Sequence, residues 1–282
     1  MNMTDELGIA VFILAVLGLI YIFLISPRMK NGADIEMLRR DFAHRGLWNE
    51  RIPENSLTAF EAAARRGYAI ELDVRPTRDG VLVVFHDDDL KRMCGKNALV
   101  RDLTFRELRA LSLKGTGEVI PSLSEVLRLI NGRVPLLIEV KGERPDPKFC
   151  LALAEMLDAY SGAFAIESFS PIILNWFKKH RPSYARGQLV TTLLKDGGFK
   201  RWAASILLSN LAFNFLSRPD FIAINEKKRR NLGFLLCVHA LHAGSLLWTV
   251  RTPDLYISCR KRGFFTIFEG FLPKVNQKVN RK

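Results

Sequence analysis

Between Phe42 and Phe268 the chain alternates short β-prone runs with longer stretches of helical periodicity, and this alternation restricts the fold more than any other feature. The β-prone runs are Phe42–Gly46, Ile70–Val74, Val134–Val140, Phe164–Ser168, Ser183–Leu189, Phe221–Asn225, Ser245–Val250 and Phe264–Phe268. The intervening helices are expected from Asn55 or Ser56 to Gly67, and over Ser122–Ile130, Pro147–Tyr160, Ser170–His180, Lys200–Leu216, Lys228–Ala243 and Pro253–Arg262. A strand that returns through a helix lies parallel to its predecessor, and eight such units close a (β/α)8 TIM barrel. At 282 residues the chain is long enough for one. The active site of such a barrel forms at the C-terminal ends of the strands, where His44, Glu71, Asp73, Glu139 and Lys141 fall.

One stretch breaks the alternation. Ile70 to Asp89 reads as a β-hairpin, with Val81–Phe85 returning antiparallel through a two-residue Asp79-Gly80 loop. That loop pairs Arg78 with Val81 and sets His86 opposite Asp73, with Glu71 on the same face. Two neighbouring carboxylates repel, and the arrangement is stabilised by protonating one or by placing a cation between them. A hard divalent cation with oxygen ligands fits; a solvated hairpin face is the alternative. In Leu137–Lys141, Glu139 and Lys141 also share a face, the acid able to join the first two and the amine able to meet an anion.

From Arg75 to about Pro121 the chain makes a polar excursion that is long for a barrel loop. At the other end, Gly8–Ser26 carries no charge and is long enough, as a helix, nearly to cross a hydrocarbon core of about 30 Å. A cleaved leader would want a basic start, whereas Asp5 and Glu6 precede the run and Pro27-Arg28 follow it. Residues 1–30 are therefore expected to form a single-pass membrane anchor and residues 31–282 the barrel. Arg28, Lys30, Arg39 and Arg40 place the barrel on the cytoplasmic side. The formal charge of +13 favours an anionic lipid surface over nucleic acid, because no nucleic-acid motif accompanies the basic residues. Cys94, Cys150, Cys237 and Cys259 match no metal-ligand spacing and read as free thiols, with two disulfides as the alternative.

The motifs AHRG at Ala43–Gly46, PENSLTAFEAA at Pro53–Ala63, IELDV at Ile70–Val74, TRDGVLVVFHDDDLKRMCG at Thr77–Gly95, PSLSEVL at Pro121–Leu127, IEVK at Ile138–Lys141 and LWTVR near Trp248 resemble those of the glycerophosphodiester phosphodiesterase family. The resemblance implies a barrel with an inserted subdomain after its second strand, here about residues 75–121. It also implies hydrolysis of glycerophosphodiesters to glycerol 3-phosphate and an alcohol with a divalent ion, calcium or magnesium. The implied metal ligands are Glu71, Asp73 and Glu139, the acid/base pair is His44 and His86, and Arg45 and Lys141 contact the phosphate. Cleavage of lysophospholipids in the manner of a phospholipase D is the neighbouring alternative; a catalytically silent, membrane-tethered phosphate-binding module is a second. Three departures stand out: Ser56 where threonine is commoner, Arg251 where asparagine is frequent, and IFEGFLP in place of a TD-x-P ending. They are expected to bear on substrate choice and to leave the reacting groups untouched.

Overall fold

The computed structural model describes residues 3–28, 35–190 and 205–273. Strands β1 (Phe42–His44), β2 (Ala69–Pro76), β4 (Leu136–Val140), β5 (Phe164–Ser168), β6 (Arg186–Val190), β7 (Phe221–Asn225), β8 (Gly244–Val250) and β9 (Phe265–Phe268) pair in parallel, each with the next. Contacts of β1 with both β2 and β9 close them into an eight-stranded barrel. Every expected strand is present, with bounds shifted by a few residues.

Strict alternation along each strand builds two cores. Ile70, Leu72 and Val74 of β2, with Leu136, Ile138 and Val140 of β4, face outward onto helices α2 (Leu57–Arg65), α5 (Leu123–Ile130) and α6 (Pro147–Asp158). Phe42, Ala69, Leu137, Ala165, Phe221 and Ile267 face inward and fill the N-terminal half of the barrel, with Leu38 in the same cluster. Gly187 of β6 has no side chain because the Phe221 ring lies where its Cβ would be, 2.1 Å away. Above this apolar floor the next inward positions are polar, and they make the site.

The antiparallel β3 (Leu82–Val84) pairs with β2, but one residue out of the expected register: Val74 lies opposite Val84, and Phe85 N–H donates to Asp73 O (2.9 Å). The loop has three residues, Arg78 to Gly80, because Val81 N–H donates to Thr77 Oγ1 (2.9 Å) and Asp79 is drawn away to accept from Phe105 N–H (2.9 Å). Gly80, at φ 80°, closes it in the left-handed region. His86 therefore lies past the end of the ladder and not opposite Asp73. The excursion that follows has its own small core of Val83, Phe85, Leu90, Met93, Val100, Leu108, Leu113 and Ile120, as an inserted subdomain requires.

Two expected helices are broken. In place of a continuous Lys228–Ala243 helix stand a turn at Glu226–Lys228, an α-turn at Leu232–Leu235 and a wide π-turn at Leu236–Ala240. Of Lys200–Leu216, residues 200–204 lie outside the described residues, and the rest is helical at 205–209 and Asn214–Ser217, interrupted where Leu211 takes φ 63°. The N-terminal run forms a helix, α1 (Met3–Ile25), whose side chains are exposed through residue 20. Its last turn is docked on the barrel: Asn214 Nδ2 donates to Ile25 O (2.9 Å), Arg218 to Phe23 O (2.9 Å) and Ser26 O (3.0 Å), and Arg28 pairs with Asp220 (3.2 Å). The four cysteines are free thiols.

The turn after β1 gives a direct test of this packing. Gly46 has φ 83°, and a Cβ there would sit 2.8 Å from the Ala59 carbonyl carbon of α2. Gly46→Ala combines left-handed strain with a backbone clash, so it should destabilise the chain by at least about 2 kcal/mol. Denaturant unfolding of the full chain in detergent micelles reads this directly, and an unchanged midpoint would contradict the packing described.

Candidate active site

The sequence-predicted residues converge at the C-terminal end of the barrel. Strand register sets His44 beside Glu71, Asp73 beside Glu139, and Glu139 beside Glu167. Oxygen atoms of Glu71, Asp73 and Glu139 lie within 4.8 Å of one another, and all three side chains are buried. Lys141 Nζ sits among them, 2.8 Å from Asp73 Oδ1 and 2.7 Å from Glu139 Oε1. Arg45 enters from the other side: its backbone N–H donates to Glu71 Oε2 (3.0 Å), its Nε is 3.3 Å from Asp73 Oδ2, and its Nη1 donates to Glu54 Oε1 (2.7 Å).

Electrostatics divide the acids. Burial, reinforced by the neighbouring Asp73, pushes Glu71 well above the usual carboxyl range, and burial carries Glu139 to about 7 against the pull of Lys141. Burial acts on Asp73 in the same sense, but Lys141 and Arg45 outweigh it and hold that carboxyl well below its ordinary value. A fourth acid, Glu167 of β5, is raised by burial and by Glu71, and its Oε2 is buried without a hydrogen-bond partner. Hard oxygen donors, buried and crowded enough to raise the proton affinity of two of them, are a donor set suited to a divalent cation.

Both histidines are oriented through Nδ1 by a carboxylate. His44 Nδ1 lies 2.5 Å from Glu269 Oε2, and its Nε2 is 4.0 Å from Glu71 Oε2. His86 Nδ1 lies 2.6 Å from Asp87 Oδ1, while Arg75 Nε and Nη2 donate to the His86 carbonyl (2.9 and 2.7 Å) and hold the loop in place. Off the ladder though it is, His86 is close enough that Asp73 raises its proton affinity; burial outweighs this and leaves its pKa below the ordinary value. Burial lowers His44 too, against the hydrogen bond it donates to Glu269.

Several members of this network, Asp87 among them, were not singled out from the sequence. Glu54 and Asn55 lie in a segment read there only as a helix start, yet both are buried: Asn55 Nδ2 donates to Asp73 Oδ2 (2.8 Å), and Glu54 joins Arg45 to Arg92. Arg92 holds Asp87 (2.6 Å) and so reaches His86 indirectly. Glu167 was legible as an acid at a barrel-strand end. Glu269 corrects an expectation: it lies in the divergent IFEGFLP ending and touches His44, and the equally divergent Arg251 donates to its other oxygen (3.0 Å). Those two departures reach a proposed reacting group, whereas Ser56 keeps a structural role, accepting from Ala59 N–H (3.1 Å) as the cap of α2.

The model of the glycerophosphoryl diester phosphodiesterase family matches residues 44–268. The Mycobacterium tuberculosis protein named "Probable glycerophosphodiester phosphodiesterase 2" is 42% identical over 239 residues, covering 80% of this chain and 83% of that one. A Rattus norvegicus lysophospholipase D is 37% identical over 117 residues, 37% of each chain. Among solved structures, an Oleispira antarctica phosphodiesterase in complex with the product sn-glycerol-3-phosphate superposes with a TM-score of 0.65 at 24% identity, covering 82% of this chain and 92% of that one. Matched by the family model over most of its length, with a relative of this identity across most of both chains, the chain belongs to the glycerophosphoryl diester phosphodiesterase family and is a phosphoric diester hydrolase.

Proposed function

We propose that the protein hydrolyses glycerophosphodiesters to glycerol 3-phosphate and an alcohol at this site, with a divalent cation, calcium or magnesium, held by Glu71, Asp73 and Glu139. The observation that carries the reading is the convergence of those three buried acids with two carboxylate-oriented histidines at one end of the barrel. When bound, the cation supplies positive charge against the phosphoryl oxygens. Lys141 and Arg45 now neutralise the acids, and they are placed to turn toward a phosphodiester once a cation takes over that task.

His44 and His86 form the acid/base pair. With Nδ1 tied to a carboxylate, each imidazole presents Nε2 as its working nitrogen. Burial keeps both neutral at rest, which suits a base. The anionic substrate favours the imidazolium form and so supplies the protonated partner that the leaving oxygen needs. The role of Glu269 is to orient His44 and raise its proton affinity; the role of Arg251 is to hold Glu269.

Helix α1 is read as a retained single-pass anchor with the barrel on the cytoplasmic side. It is long and apolar enough to cross a membrane, its last turn is built into the barrel, and Arg28, Arg39 and Arg40 follow it; Lys30 lies outside the described residues. This anchor, with the lysophospholipase D relative, favours a second reading in which the substrate is a lysophospholipid. Product analysis on glycerophosphocholine beside lysophosphatidylcholine separates the two. Either way turnover should vanish with chelator and return with calcium or magnesium, and Glu71→Ala should abolish most of it. Near-normal turnover of that variant at low metal would remove Glu71 from the site.

Glu269→Gln tests the histidine assignment by pH. The carboxylate raises the His44 pKa, so its loss should move the limb of the rate profile that belongs to His44 to lower pH. His44→Ala should lower the maximal rate by about a hundredfold or more, and Glu269→Asp should recover part of what Glu269→Gln loses. A Glu269→Gln profile that does not move would show that Glu269 serves packing only.

A further inference from the structure

We propose that the site-bearing end of the barrel is turned toward the bilayer, so that the enzyme meets phosphodiesters held at the lipid–water interface. The inference rests on the reading of α1 as a membrane span and adds a direction to it. Contacts of α1 with two neighbouring segments give that direction. Tyr21 OH donates to Asn210 O (3.3 Å) and lies 2.7 Å from where a Cβ of Gly233 would be; one turn on, Ile25 O accepts from Asn214 Nδ2 (2.9 Å) and Cys237 Sγ (3.3 Å). From 21 to 25, from 210 to 214 and from 233 to 237 the contacts advance together, so the last turn of α1 runs in the same chain direction as both neighbouring segments. Both neighbours descend from the C-terminal end of one barrel strand to the N-terminal end of the next, as Gly244 N–H bonding to Asp220 O (3.0 Å) at the foot of β7 and β8 marks. Traced backward from Tyr21, α1 therefore rises past the end of the barrel that carries His44, Glu71 and Glu139.

Length brings that end close to the membrane. Residues 3–20, the part of α1 free of the barrel, reach about 27 Å at 1.5 Å per residue. This is short of a hydrocarbon core of about 30 Å, so the flank where Tyr21 docks lies at the interface. The surface there suits it. Leu207, Leu208 and Leu232 are exposed, and the loop after β7 presents Lys227 and Arg230 to solvent beside Leu232. Apolar side chains fringed by basic ones complement an anionic headgroup layer. A monoacyl glycerophosphodiester can then bring its phosphate to the site while its acyl chain stays in the bilayer.

The test uses the full chain with Cys94→Ser, in vesicles of phosphatidylcholine and phosphatidylglycerol containing a lipid with a quencher near its headgroup. A fluorophore is placed at Leu232→Cys or, on the opposite end of the same flank, at Ser183→Cys. The label at 232 should lose most of its fluorescence and the label at 183 little. Equal quenching, or stronger quenching at 183, overturns the orientation. If neither label is quenched while the chain floats with the vesicles, the orientation is wrong and the span stands; a chain that does not float refutes the span, and the orientation with it.

Discussion

Like charge buried at one end of a barrel is the constraint on which this structure depends. Glu71, Asp73, Glu139 and Glu167 occupy inward positions on three adjacent strands, and burying ionised carboxylates without partners is costly. Lys141 and Arg45 hold Asp73 ionised, while Glu71, Glu139 and Glu167 keep raised proton affinities. The cost is met by the rest of the fold: an apolar floor of Phe42, Leu137 and Phe221 inside the barrel, and a large outer core beneath the helices. A cluster that would be ruinous in a small domain is tolerated here, and its crowded oxygen donors are what suit it to a divalent cation.

Around that cluster runs a chain of ion pairs. His86, Asp87, Arg92, Glu54, Arg45 and Asp73 follow one another in contact, drawing on the inserted subdomain, the loop before α2 and strand β2. The inserted subdomain thus supplies Arg92 as well as His86, and Glu54 couples its position to the acids. His44 belongs to a separate arm, through Glu269 to Arg251 at the ends of β9 and β8. The two histidines are therefore held from different parts of the sequence, and closure of the barrel brings them together.

What the sequence made legible follows from periodicity. The eight strands could be read because each is a compact β-prone run with helical periodicity on either side, and inward acids could be read because alternation fixes the face of Glu71, Asp73 and Glu139. The hairpin register could not, because it turned on whether the loop held two residues or three, and Asp79 in the three-residue loop accepts from Phe105, a contact 26 residues away. His86 nonetheless lies near Asp73, since Arg75 secures its carbonyl where the ladder does not. Glu269 went unread for a different reason. It replaces part of a familiar ending, and only the closure of β9 against β1 brings it to His44. Continuous helices were expected at 200–216 and 228–243, where residues 205–217 and 226–240 are broken and carry the contacts to α1.

The central claim, that these carboxylates form a cation site, is tested most directly by counting protons. Glu71 and Glu139 are raised by burial, Glu139 to about 7, so proton binding competes with an arriving cation for these carboxylates. Calcium or magnesium titrated calorimetrically into the purified chain at pH 7, in buffers of different ionisation enthalpy, should show net proton release, reduced in Glu139→Gln. Binding without proton release, or release unchanged in that variant, would contradict the account.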